Sequence, residues 1–458
     1  MPYLKKSIAV LGGGVTGLAA AYRLTKLGHR VRLLESGSRL GGAIRTETTD
    51  GWLVETGPNS MKEDLPVVGE LIHELSLVHE RVEAAPASAT RYVALGGRLV
   101  PMPASLPGVL FSSVLSIGGR LRFLAELGTR RRSRPGDPSV AEFGRDHFGR
   151  QAVDRMIQPF VSGLWAGDAE RLSAQSAFPR FWAMERTNGS ILRGQAAAVR
   201  ARLEHDGIGS PRIISFKRGL QTLPWALTGR LAEGTVVLGA RIETLVRTDR
   251  WQVTWTRHDE VHRDDFDAVI APLPAGSLAA LQIGGPGLCP LGGLAAIEHP
   301  ALATVFLGYR REQVAHPLDG YGVLMPAGDR GTILGIIFSS TLFPGRAPAG
   351  CVGLTILAGG SLHPEAAHRP VDELVAGIRA ELAGMLGVKG EPVFVRHSFR
   401  SDTLPQYNVG HQRHRETINA CERANPGLLV GGQVVDGVTV SECVAAGCSL
   451  ADRADRIA

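Results

Sequence analysis

Three glycines, Gly12, Gly14 and Gly17, carry the first legible chemistry of the chain. They stand in the spacing G-x-G-x-x-G, with Gly13, Val15 and Thr16 between them. Gly12 permits a tight turn, Gly14 lets the backbone approach a pyrophosphate, and Gly17 lets a following helix lie against a strand. Glu35, 18 positions beyond Gly17, is an acid placed to bond a ribose hydroxyl. Its charge would repel a 2′-phosphate. The elements that must position these residues are also present. Ser7-Ile8-Ala9-Val10-Leu11 is a short apolar run, residues 18–27 carry apolar side chains at helical spacing, and residues 30–34 return as a second strand after Gly28-His29. Such a βαβ unit aims the free N–H groups and positive dipole end of its helix at phosphates. At this point NAD and FAD both fit.

More glycine turns follow. After Ser36, Gly41-Gly42 again allows close backbone approach, while Arg39 and Arg45 bring cations to the phosphate side. Gly57-Pro58-Asn59-Ser60, two residues after Glu55, is a third tight turn. Near the other end, Gly431-Gly432 closes an apolar run, and a helix with Val444, Gly447, Leu450 and Ala454 on one face begins after Val438-Thr439-Val440. If a flavin ring lies against those backbone N–H groups, the helix dipole would stabilise negative charge on it without any charged side chain.

The rest of the composition removes alternatives. A chain of 458 residues, 44% hydrophobic and 21% charged, can bury a large core in two or more domains. Cys289, Cys351, Cys421, Cys443 and Cys448 are odd in number and lack a C-x-x-C pair, which argues against a disulfide framework or a metal site and fits a reducing cytosol. The net charge of +6 comes without a basic stripe interleaved with aromatics, so no nucleic-acid partner is expected. The first strand starts almost at Met1, leaving no room for a cleavable leader. No nucleophile elbow, H-E-x-x-H pair or acid–base constellation stands out. No protein side chain is therefore expected to be catalytic, and the cofactor is expected to perform the chemistry.

Taken in order, G-x-G-x-x-G, an acid ending the second strand, R-x-G-G-x-x-x-T and E-x-G-P resemble the flavin amine oxidase superfamily. Within it, the chain resembles the protoporphyrinogen oxidase family of haem biosynthesis. The segments that carry this are Arg91-Tyr92-Val93, Gly97 to Pro103, Gly163-Leu164-Trp165-Ala166-Gly167-Asp168, Ala177-Phe178-Pro179, Leu404-Pro405-Gln406-Tyr407 and Gly437-Val438-Thr439-Val440-Ser441-Glu442. The resemblance runs nearly end to end. Trp165 stands where the family often has Tyr, and Gly432 where it often has Asn.

The resemblance implies an α/β fold: a discontinuous Rossmann-like FAD-binding domain (1–90, 212–275, 400–458), an α+β substrate domain with an antiparallel sheet (91–103, 276–399) and a helical membrane-associating region (104–211). Non-covalent FAD would be held by Gly12 to Gly17, Glu35, Ser36, Arg39, Gly41, Gly42, Gly57, Pro58, Asn59, Ser60, Ile242, Gly432, Val438, Thr439 and Val440. Arg91 would meet a propionate of the porphyrinogen, and Tyr321, Leu324 and Leu357 would clamp its rings. The implied reaction is oxidation of protoporphyrinogen IX to protoporphyrin IX with dioxygen reoxidising the flavin. Coproporphyrinogen III is the alternative substrate, and a flavin amine-oxidase-like enzyme is a more distant one. The family also admits a homodimer.

Residues 99–119 carry no charge between Leu99 and Arg120, but Pro101, Pro103, Pro107 and Gly108 interrupt them, leaving far fewer than the roughly 20 apolar residues a span needs. Arg120, Arg122, Arg130, Arg131, Arg132 and Arg134 follow. An apolar segment beside such a cluster suits either an amphipathic helix pair with a solvated loop or a surface resting on anionic lipid. The resemblance favours the second, on the cytoplasmic face of a membrane. The Ala- and Arg-rich stretch 194–209 is expected to be exposed and mobile.

Overall fold

The apolar strands predicted around the first glycine turn pair side by side. In the computed structural model, which describes residues 5–103, 105–129, 136–205, 212–326 and 331–457, five strands form a parallel sheet. Its order is Val236–Leu238, Arg30–Glu35, Ser7–Leu11, Ala268–Ala271 and Leu428–Val430. Ile8 lies opposite Val31 on one side and Ala268 on the other. Both faces are covered, so Ile8, Ala9, Val10 and Leu11 are fully buried and the strand reads as a continuous apolar run. Helices Val15–Lys26 and Val440–Asp455 cover one face together. Trp251, Val253, Trp255 and Phe266 form a second core on the opposite face. Sheet strands thus come from residues 7–35, 236–271 and 428–430.

A seven-stranded sheet lies apart from this one, in the order Phe394–Arg400, Leu302–Arg310, Cys351–Gly359, Ile333–Ile337, Gly322–Leu324, Arg91–Leu95 and Arg98–Pro101. Helix Val371–Leu386 buries Leu374, Ile378, Leu382 and Leu386 against one face. The expected antiparallel sheet needs correction. Gly322–Leu324 runs parallel to Arg91–Leu95, because residues 91–101 form a hairpin far upstream that adds to the sheet edge. This one join places Arg91 opposite Gly322.

The described residues between 106 and 205 are mainly helical. Ser139 starts helix Val140–Phe148 with a capping box: its hydroxyl accepts from the Glu142 N–H at 3.1 Å while the Glu142 carboxylate accepts from the Ser139 N–H at 2.8 Å. Residues 194–205, expected to be mobile, belong to the helix Ile191–His205; Ala and Arg are strong helix formers, and residues 206–209 lie outside the described set. The start of that helix rests on the fully buried Glu126, which accepts from Ser190 Oγ (2.7 Å) and the N–H groups of Ile191 (2.6 Å) and Leu192 (3.1 Å) and lies 3.0 Å from His147 Nδ1. Burial alone would raise the Glu126 carboxyl, but these hydrogen bonds hold it below its ordinary value. Among the described residues no helix is long and apolar enough to cross a membrane. Strands Val236–Leu238 and Arg241–Arg247 are separated only by Gly239 and Ala240 yet belong to two different sheets.

Candidate FAD and substrate site

The glycine turn sits where the parallel strands end. Helix Val15–Lys26 starts from Gly14 without a side-chain cap and without an acid in its first turn, which leaves its first N–H groups for an anion. A Cβ built at Gly17 would lie 2.0 Å from the Gly12 carbonyl oxygen, so any larger residue would force helix and turn apart. The second turn docks on the first: Gly41 N–H donates to Gly13 O at 2.8 Å, and a Cβ at Gly42, whose φ is +57°, would lie 3.1 Å from Gly14 Cα. Two backbones in contact across glycines form a cradle for a pyrophosphate.

Glu35 braces that cradle. Its carboxylate accepts from the N–H of Gly13 and of Gly37, both at 2.6 Å, with the Ser36 hydroxyl 3.5 Å away. Carboxylate lone pairs remain for a ribose hydroxyl. Arg39 spans its own turn, donating to Leu40 O and Ile44 O at 3.1 Å and also to Gly42 O. Its guanidinium therefore shapes the turn as well as charging it. Ile242 stands two residues beyond Ala240, whose N–H donates to Glu35 O at 2.8 Å, and lies opposite Trp255 just before a register shift.

The third turn is held as closely: a Cβ at Gly57 would lie 2.0 Å from Ala43 O, and Asn59 donates to Gly57 O at 3.4 Å beyond Pro58. Sequence reasoning missed the group beneath it. Glu55, only 4% exposed, accepts from Thr46 Oγ1 (2.7 Å) and Leu220 N–H (2.8 Å), and Arg346, 3% exposed, stands 3.8 Å away. Burial pushes the Glu55 carboxyl up to about 7 against these bonds. The E-x-G-P motif pointed at Glu55. Nothing local pointed at Arg346, whose partners Ser215 and Phe216 lie far off in the sequence.

The C-terminal segment closes the cradle. A Cβ at Gly432 would lie 3.5 Å from Thr16 Cγ2, so the two ends of the chain meet beside the first helix. Val438 and Val440 are buried. Thr439 caps helix Val440–Asp455, and here the expectation changes. The Thr439 N–H donates to the Glu442 carboxylate at 2.9 Å, and the Thr439 hydroxyl bonds the same group. A carboxylate therefore does occupy this helix start, and the free donors are those of the next N–H groups, Val440 and Ser441.

Arg91, Leu324 and Leu357 share the seven-stranded sheet, and Tyr321 immediately precedes its strand Gly322–Leu324. The Arg91 guanidinium lies 4.8 Å from the Tyr321 ring centre, and the Tyr321 hydroxyl lies 3.3 Å from that of Ser60. Leu324 and Leu357 both face Gly335 across neighbouring strands, so a glycine separates two leucines in one row. Leu324 also reaches the helix Gln158–Trp165 at Gly163. The third turn of the cradle thus touches the sheet that carries Arg91, through Ser60 and Tyr321.

A family model described as flavin containing amine oxidoreductase matches residues 15–454. The chain belongs to that family. It is a flavin-dependent oxidoreductase whose cofactor is FAD, and the cradle of glycine turns, uncapped helix start and strand-end acid fits that cofactor's pyrophosphate and ribose. Among curated relatives it is 33% identical to protoporphyrinogen oxidase 2, chloroplastic/mitochondrial, of Arabidopsis thaliana, over 98% of this chain and 93% of that one. It is 26% identical to coproporphyrinogen III oxidase of Bacillus subtilis (strain 168), over 96% of each chain. Among solved structures it superposes on a protein from Exiguobacterium sp. 255-15 with a TM-score of 0.81 at 24% identity, covering 98% of each chain, and on reduced UDP-galactopyranose mutase with a TM-score of 0.73 at 17% identity, covering 98% and 95%. Those likenesses establish the flavin amine oxidase fold.

Proposed function

We propose that this oxidoreductase converts protoporphyrinogen IX to protoporphyrin IX with dioxygen as terminal acceptor. The observation that carries the reading is the Arg91–Tyr321 pair, set on an apolar sheet that touches the cofactor cradle through Ser60. A macrocycle with carboxylates on one edge needs an apolar wall and a guanidinium at its rim. Leu324 and Leu357 supply the wall, and the tyrosine ring holds the guanidinium in place. FAD, when bound, would supply a two-electron acceptor for each of the three successive two-electron oxidations, with one dioxygen reduced to hydrogen peroxide per round. The chain's share is orientation: Arg91 anchors a propionate, the leucine row holds the ring flat, and Gly12 to Gly17, Glu35, the second and third turns, Ile242, Gly432 and the start of the last helix hold the cofactor beside it. Pyrrole N–H protons can leave to solvent, so no protein base is required.

Coproporphyrinogen III is the second reading, favoured by the Bacillus subtilis relative. Feeding each porphyrinogen to the purified protein and following porphyrin fluorescence separates them. Activity confined to coproporphyrinogen III overturns the first reading, and activity on neither overturns both.

The same reading divides the chain into a discontinuous FAD domain, a substrate domain and a membrane-facing helical region, and it places the enzyme on the cytoplasmic face of a membrane. Phe111, Ile117 and Leu121 are 87%, 75% and 65% exposed. Arg120 ties the segment together by donating to Leu115 O (3.0 Å) and Leu110 O (2.9 Å), which supports an apolar surface with cations at its base. Arg122 instead donates to His147 O (2.7 Å) and Asp146 O (2.6 Å), and Arg130, Arg131, Arg132 and Arg134 lie outside the described residues. A homodimer is compatible with this arrangement and is tested by sedimentation.

A further inference from the structure

The second glycine turn gathers more cations than its own two. Arg400, the last residue of the edge strand Phe394–Arg400, reaches across from the seven-stranded sheet and donates to Ala43 O at 3.0 Å. Ala43 adjoins Gly42, which abuts Gly14, so Arg400 stands on the turn that completes the pyrophosphate cradle. Arg39 occupies the same turn through Leu40 O, Gly42 O and Ile44 O. Arg45 pairs with Glu47 at 2.9 Å, and Glu47 also accepts from Arg396 at 2.6 Å. Counted with Glu35, four guanidiniums face two carboxylates, and among the described residues no acid is in contact with Arg39 or Arg400.

We propose that Arg400 is a third cation of the FAD pyrophosphate site, delivered from the seven-stranded sheet of the same chain, where it joins Arg39 and Arg45. The assignment rests on the reading that the glycine cradle holds FAD. Burial first, and the nearby charges of Arg39 and Arg45 next, push the Arg400 guanidinium below its ordinary range, and burial and Arg45 do the same to Arg39 against the smaller opposing charge of Glu35. Guanidiniums stay charged in proteins, so the repulsion persists until an anion offsets it. A dinucleotide pyrophosphate is such an anion, whereas the flavin ring and its ribityl chain are not. Arg400 also links the substrate sheet to cofactor binding, because the same strand pairs with Leu302–Arg310.

Titrating apo-protein with FAD and, separately, with riboflavin, by quenching of flavin fluorescence at low and high salt, tests this. Arg400→Met should weaken FAD roughly tenfold, flatten the salt dependence of its affinity and leave riboflavin binding unchanged. Arg400→Lys should keep most of the salt dependence, and it serves alone if the methionine variant does not fold: its FAD affinity should then fall modestly with riboflavin unaffected. Unchanged FAD affinity overturns the assignment, and so does equal loss of FAD and riboflavin, which marks a structural brace. Wild-type protein that binds no FAD overturns the cradle reading itself, a result that cannot be confused with the other two.

Discussion

Replacing Glu55 by Gln should remove one pH-dependent contribution to the stability of this protein, read as the difference between variant and wild type at each pH, since His411, held down to about 4 by burial, adds a slope of its own to both. Burial raises the Glu55 carboxyl from 4.5 to about 7. The native state therefore keeps a proton that the unfolded chain has already released. The contribution of Glu55 to stability is fully present below about pH 4.5, falls as pH rises towards 7, and is level above that. At about 1.4 kcal/mol for each tenfold change in proton affinity, the loss is about 3 kcal/mol. The amide introduced by Glu55→Gln cannot ionise, so that slope disappears. Its oxygen can still accept from Leu220 N–H, but the Thr46 hydroxyl loses a carboxylate acceptor, at a cost of about 1 kcal/mol. The two effects cross. Near pH 4 the variant should be less stable by about 1 kcal/mol, and near pH 8.5 more stable by about 2 kcal/mol. Urea unfolding of apo-protein at a series of pH values, followed by tryptophan fluorescence, reads both. Parallel curves for the two proteins would refute the reasoning, since they would mean that Arg346, 3.8 Å away, keeps Glu55 ionised throughout.

Three further outcomes follow from the site. Arg91→Ala should raise KM for the porphyrinogen by about 10- to 100-fold, the worth of a charge-assisted bond, with flavin content unchanged; an unaltered KM counts against the propionate contact. Gly17→Ala places a methyl group 2.0 Å from Gly12 O, so the purified variant should come out colourless or with FAD affinity down at least tenfold, read by absorbance at the flavin maximum. Phe111→Ser with Ile117→Ser should abolish flotation with anionic liposomes while leaving thermal stability within about 1 kcal/mol, because both side chains are already exposed; wild-type protein that stays behind in the same gradient disposes of the membrane surface.

What was legible in the chain follows the distance over which each interaction acts. The first cradle depends on glycine sterics, one helix dipole and one acid, all within residues 7–35, and the structure brings those parts together as the spacing requires. Thr439 shows a local signal outweighed by a functional one. Thr439-Val440-Ser441-Glu442 is a plain capping-box pattern, yet its N–H was assigned to a flavin when the glutamate three residues on was the nearer acceptor. Other features had no local signal. Arg91 meets Gly322 only because a short hairpin adds in parallel to a sheet whose other strands come more than 200 residues later. Arg346 beneath Glu55 and Arg400 beside Ala43 lie in stretches without a motif and are made meaningful by a fold that carries them to a glycine turn. Local chemistry therefore identifies the first turn of the cradle, which lies within one βαβ unit, while Gly432 and Arg400 reach it from remote parts of the chain. The Arg91–Tyr321 pair is likewise assembled from segments remote in the chain, and it is legible only once the sheet register is known.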